Sequence, residues 1–84
     1  MGNYGNEIQH AVVVQINAEM AAKGWKASDL SREAGIPKNT LSRYLKGERG
    51  IPLDIFGDIA EALGLSHVEL ASRAQRRLDG ENVR

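Results

Sequence analysis

Residues 26–47 read KASDLSREAGIPKNTLSRYLKG, a run that divides at Gly35 into two short helical patterns. Plotted at about 100° per residue, Ala27, Leu30, Ser31 and Ala34 fall on one side of the first pattern, and Ser28, Asp29, Arg32 and Glu33 on the other. Small residues on the inward side let a second helix approach closely. Gly35, followed by Ile36 and Pro37, leaves room only for a tight turn, and helices joined in this way cross steeply. In the second pattern Lys38, Asn39, Ser42, Arg43 and Lys46 share a continuous arc of about 140°, opposite Pro37, Leu41, Tyr44 and Leu45. One face is apolar; the other consists of hydrogen-bond donors.

Those donors suit the edges of base pairs. Arg and Lys can bond guanine N7 and O6, Asn can pair bidentately with adenine, and Ser is short enough for a phosphate or a base edge, all in a major groove that admits one helix. A solvated helix face is the bland alternative. Against it stands the lack of any acid among these positions, because ordinary exposed faces mix both signs.

Working outward, the chain has 84 residues, enough for one domain with four or five short helices and too few for an enzyme built around a deep cleft. It contains no cysteine, which excludes disulfides and zinc–thiolate sites and suits a reducing cytoplasm. The longest purely apolar run is residues 11–14, so the reading includes neither a signal peptide nor a membrane span. Formal net charge is zero, but it is unevenly spread: residues 23–49 hold seven Lys and Arg against three acids, and residues 50–72 hold four acids with no Lys or Arg. A basic face and an acidic face are expected.

Upstream, residues 1–5 are polar, glycine-rich and expected to fray. Asn6 and Gln9 have capping-box spacing for a helix over about 6–23, with an apolar stripe of Ile8, Val12, Ile16 and Met20 flanked by Val13 and Ala21. Gly24 followed by Trp25 is a helix stop in which the glycine is left-handed and the apolar residue folds back, so Trp25 reads as packing rather than as a ligand contact.

Downstream, a helix over about 52–63 would bury Leu53, Phe56, Ile59, Ala60 and Leu63 and expose Asp54, Asp58 and Glu61, which read as solvated acids rather than a catalytic pair. Ser66 and Glu69 form a capping-box pattern that opens a helix over about 67–78, with Val68, Leu70, Ala71, Ala74 and Leu78 inward and Glu69 one turn from Arg73. Residues 79–84 are expected to form a flexible tail, and Arg76, Arg77 and Arg84 make this end basic. His10 and His67 lack a second ligand at metal spacing, and no nucleophile is paired with a base, so the reading includes no metal, cofactor or enzyme activity.

The stretch LSREAGIPKNTLSRYLKGERGIPLDIFGDIAEALGL resembles the helix-turn-helix of the lambda repressor and Cro type, the large XRE family of prokaryotic and phage regulators. Leu30, Gly35 and Ile36 sit where that family has its core leucine, turn glycine and following apolar residue. Thr40, Leu41, Leu45 and Gly47 match its recognition helix, and Ile59, Ala60, Leu63 and Gly64 its fourth helix. The resemblance implies an all-α, compact five-helix domain over residues 1–78, with the helix-turn-helix formed by the second and third helices. It implies a sequence-specific double-stranded DNA-binding transcriptional regulator, a repressor of phage or prophage style that inserts the third helix into the major groove. Lys38, Asn39, Ser42 and Arg43 would then face bases, and Lys26, Ser28, Thr40, Lys46 and Arg49 would touch phosphates.

Two departures from the family pattern stand out. Lys26 and Ala27 replace the usual Ser or Thr followed by Gln, and Pro37 replaces a capping Ser or Thr. Homodimeric and monomeric binding both stay open, and no small-molecule ligand is implied. The alternative is a protein–protein interaction module or antitoxin component on the same fold.

Overall fold

A computed structural model describes residues 3–82, and side chains as far as residue 80. The described residues are all helical with short connections: α1 (Tyr4–Lys23), α2 (Ala27–Ala34), α3 (Lys38–Leu45), α4 (Leu53–Ala62) and α5 (His67–Asn82). α1 runs along α5, α4 bridges α2 and α5, and α3 is held by α2 and, more lightly, by α1. α3 is thus carried by its neighbours rather than enclosed by them. This is the five-helix lambda-repressor-like architecture that the sequence resembles.

α2 spans the residues that its periodicity assigns. Its stop is local: Gly35 adopts φ +70°, a left-handed conformation costly for any residue with a Cβ. The Ile36 N–H then donates to the Ser31 carbonyl (3.0 Å), and the Ser31 hydroxyl donates to the Ile36 carbonyl. Ile36 is buried, so the turn is pinned to the core as well as bonded to itself. The same backward backbone bond ends three further helices, from Trp25 to Met20, from Glu48 to Arg43 and from Leu65 to Ala60. Trp25 is half-buried against the core, as a packing residue should be, and the Lys23 ammonium stands 5.3 Å from its ring centroid.

The core joins Ile16 and Met20 of α1, Leu30 of α2, Leu41 and Tyr44 of α3, Phe56, Ile59 and Ala60 of α4, and Leu70, Ala74 and Leu78 of α5. Several expected inward positions lie elsewhere. Leu53 is 78% exposed, because it opens α4 at the rim, and Ile51 fills the core from the extended approach instead. Val68 is 64% exposed and Ala71 is exposed, since α5 buries the narrower every-fourth-residue row of Leu70, Ala74 and Leu78. Ala21 is exposed, and on α1 the stripe is completed by Ala11 and Gln15.

Helix ends also differ from the sequence reading. α1 starts at Tyr4, before the expected cap at Asn6, with its first backbone bond from the Glu7 N–H to the Asn3 carbonyl (2.9 Å). The Tyr4 hydroxyl donates to Gln75 (3.0 Å), which anchors this early turn on α5. Gln9 makes no cap, because its side chain is taken by a distant backbone amide. At α5, Ser66 Oγ accepts from the Glu69 N–H (3.0 Å), but the Glu69 carboxylate turns forward to Arg73 (2.8 Å) instead of closing the box. α5 then continues through Asn82, so residues 79–82 are helical; Met1 and Arg84 lie outside the described residues.

α1 and α5 are joined by a polar seam. Buried Gln15 donates to Glu19 (2.7 Å) and accepts from Arg77, and Arg73 bridges Glu19 (2.6 Å) and Glu69. The Glu19 side chain is only 13% exposed. Burial pushes its pKa up, but hydrogen bonds from Arg73 and Gln15 and the charges of Arg73 and Lys23 outweigh that and hold it below the ordinary value. A depressed folded-state pKa stabilises the fold above the unfolded value of about 4.3, and the contribution fades as pH falls through the folded one. Thermal melts should therefore drop in Tm below about pH 4. Glu19→Gln should lower Tm at neutral pH, by about 4–8 °C per kcal/mol lost in a domain of this size, and shrink the acid-induced drop. An unchanged pH profile in that variant would contradict this role for Glu19.

Candidate nucleic-acid interface

The geometry of α3 follows from which of its residues the core takes. Leu41 and Tyr44 are buried and Leu45 is half-buried, which turns Lys38, Asn39 and Arg43 to solvent, with Lys46 exposed just beyond the helix. Ser42 and Thr40 are half-buried at the edges of that face. Pro37, expected among the apolar residues, is exposed; it sits at the N-cap with φ −54° and ψ 140°. Its carbonyl accepts from the Leu41 N–H (2.9 Å), and no side chain caps the helix. The first-turn amides of α3 therefore lack a side-chain acceptor and can serve an anion.

At the far end of α3, Gly47 (φ +76°) turns the chain into an exposed segment that carries Arg49. The Arg49 guanidinium carbon lies 5.9 Å from the centroid of the Tyr44 ring. Tyr44 thus has two tasks, filling the core and offering its ring to a cation. Lys46, Arg49, Gln9 and His10 line an open groove between this segment and α1, floored by Val13 and Leu45.

The start of α2 is built differently. Lys26 is exposed and Ser28 half-buried, but the Lys26 backbone N–H donates to the Asp29 carboxylate (2.8 Å), which Arg32 also holds (3.0 Å). Those two bonds, the Lys26 amide first, keep the Asp29 carboxyl below the usual aspartate range. A carboxylate therefore occupies part of the positive end of this helix, beside the residues expected to meet phosphate.

The pattern of ion pairing sorts the cations. Arg32, Arg73 and Arg76 each pair with Asp or Glu, whereas among the described residues Lys26, Lys38, Arg43, Lys46 and Arg49 form no ion pair, nor do Lys23 on α1 and Arg77 on α5, the latter bonded to Gln15. Unneutralised cations sum to a field that attracts an anionic partner. The acids of α4 (Asp54, Asp58 and Glu61) are exposed on the segment without Lys or Arg, so the two signs stay on separate parts of the chain. His10 and His67 are exposed, and among the described residues no three His, Asp or Glu side chains converge on one point. None of the described helices is long and apolar enough to cross a membrane.

Three contributors are absent from the sequence reading. Asp29 stands at the third helical position, where an acid is a recognised cap signal. The Tyr44–Arg49 contact needs the loop path, and the bond from Gln9 spans 42 residues, so neither leaves a local signal.

No curated protein and no solved structure matches the chain. A family model described as helix-turn-helix matches residues 16–70, from the middle of α1 to the first turn of α5, and so takes in α2, α3 and the segment that carries Arg49. By that match, over well more than half its length, the chain belongs to the XRE-type helix-turn-helix family of DNA-binding transcriptional regulators.

Proposed function

We propose that the protein is a sequence-specific repressor, in the style of small phage and prophage regulators, that inserts α3 into the major groove and occupies a promoter in the cytoplasm. The observation that carries this reading is that, among the described residues, every cation of α3 and the following segment lacks an ion-pair partner, while Arg32 on α2 and Arg73 and Arg76 on α5 are neutralised. Lys38, Asn39, Ser42 and Arg43 read base edges. Lys26, Ser28, Thr40, Lys46 and Arg49 hold phosphates, and the amides at the start of α3 add a further phosphate cradle.

Phosphate contacts supply affinity that falls with salt, with a slope of about 0.9 per neutralised phosphate, and carry no sequence information. Discrimination comes from α3, where a bidentate Arg or Asn pair is worth about 1–3 kcal/mol against the wrong base. With Asp29 at the head of α2 and no glutamine at Ala27, base recognition rests on α3.

The two classes of residue separate experimentally. After a site is selected from a random duplex pool, Arg43→Ala should lose about 1–3 kcal/mol on that site and little on random duplex. Equal losses on both would remove its base-reading role. Arg49→Ala should weaken both duplexes alike and reduce the salt slope by about 0.9, and a loss confined to the selected site would contradict a phosphate contact. Since Arg43 is exposed and unpaired, its removal should leave folding stability within about 0.5 kcal/mol by urea denaturation.

A further inference from the structure

We propose that Gln9, on the N-terminal half of α1, is a positioning residue of the DNA interface: it holds the segment after α3 in place and thereby presents Lys46 and Arg49. The inference rests on the DNA-binding reading above. It begins from one bond, in which the Ile51 backbone N–H donates to Gln9 Oε1 (3.0 Å) across 42 residues of sequence. The other long-range side-chain bonds among the described residues, Tyr4–Gln75, Glu19–Arg73 and Gln15–Arg77, all stitch α1 to α5. This one alone ties α1 to the segment that follows α3.

That segment would otherwise be loosely held. Its start is bonded back to α3 by the N–H groups of Gly47 (to Tyr44) and Glu48 (to Arg43), and regular bonding resumes at Phe56, whose N–H reaches the Pro52 carbonyl. Residues 46–50 are all exposed, and Arg49 and Gly50 lie beyond the last amide bonded back to α3. Gln9 closes the gap at its far end, beside buried Ile51, and its amide also packs over Gly50, with Cδ 3.7 Å from where a Gly50 Cβ would stand. Arg49 therefore lies between two fixed points, the glycine stop of α3 and the Gln9 bond, while Tyr44 steadies its guanidinium.

The consequence is energetic preorganisation. A segment left free beyond Glu48 must be ordered when a phosphate binds, and that entropy is subtracted from affinity; a segment already ordered by α1 is spared most of the loss. α1 suits the task because the seam of Gln15, Glu19, Arg73 and Arg77 welds it to α5, so Gln9 projects from a rigid support. Gln9 also lies outside residues 16–70, so the family match covers the segment that is held but not the residue that holds it.

Gln9→Met keeps an unbranched side chain of similar length and removes the oxygen acceptor. Against both selected and random duplex it should weaken binding about three- to ten-fold, the range for one lost hydrogen bond, with a shallower salt dependence. Combined with Arg49→Ala it should cost less than the product of the two single losses, since the cation it presents is gone. Gln9→Glu retains an acceptor and serves as the second variant: amide exchange at Ile51 should stay slow in Gln9→Glu and accelerate in Gln9→Met. Wild-type affinity and salt slope in Gln9→Met, or full additivity with Arg49→Ala, would overturn the positioning role while leaving DNA binding standing. A wild-type chain that retards neither duplex would overturn both.

Discussion

The interface depends on one reversal of the chain at Gly35. There the backbone takes a left-handed step, the Ile36 amide bonds back to Ser31, and the Ser31 hydroxyl answers to the Ile36 carbonyl. These reciprocal bonds set the angle between α2 and α3 before any tertiary contact is counted. Burial of Leu30, Ile36 and Leu41 then fixes the pair against the rest of the domain. A change in this angle would swing the whole donor face of α3, because that face projects from a helix held chiefly by its partner. Sequence-specific contact tolerates little such error, since bidentate pairing requires both donors to reach one base edge at once.

Charge follows a second rule. A chain with zero formal charge achieves a basic surface by distribution rather than by excess. Arg73, which helps build the scaffold, is consumed by the carboxylates of Glu19 and Glu69, and this holds α1 to α5. Cations without such partners are concentrated on α3 and the segment after it. The scaffold electrostatics are local and short-ranged, whereas those of the interface act outward over roughly a Debye length of about 8–10 Å. Salt should therefore bear far more on association than on folding, except where acid titrates the paired carboxylates.

Much of this was legible in the sequence because helical proteins of this size are written in local code. The glycine stops, the bounds of α2 and the donor arc of α3 all come from windows of a few residues, where spacing determines which side chains share a face. Periodicity failed at element edges. Leu53 has the right spacing for burial but stands at the rim of α4, and Ile51, outside the helix, takes its place in the core. It failed again where one residue could serve two masters. Gln9 has the spacing of a capping residue, yet its amide is claimed by Ile51, and no local pattern records a bond of that reach. Asp29 shows the reverse case, a residue assigned only to the outward side of α2 that works as a cap.

Three of the four internal helix stops are followed by an apolar residue that returns to the core: Trp25, Ile36 and Leu65. The fourth, after α3, is followed by Glu48, which stays outside. This departure makes the exit of α3 the one internal stop where the chain leaves a helix toward solvent instead of toward its own interior. All four stops are closed by main-chain bonds, so the length and register of α3 do not depend on the identities of its outward side chains. On the proposed reading, operator preference would therefore change through substitutions at positions 38, 39, 42 and 43 without renegotiating the fold. New specificities would then be a few point mutations apart, and a lineage of such proteins could diverge in the sites it controls while inheriting a single scaffold.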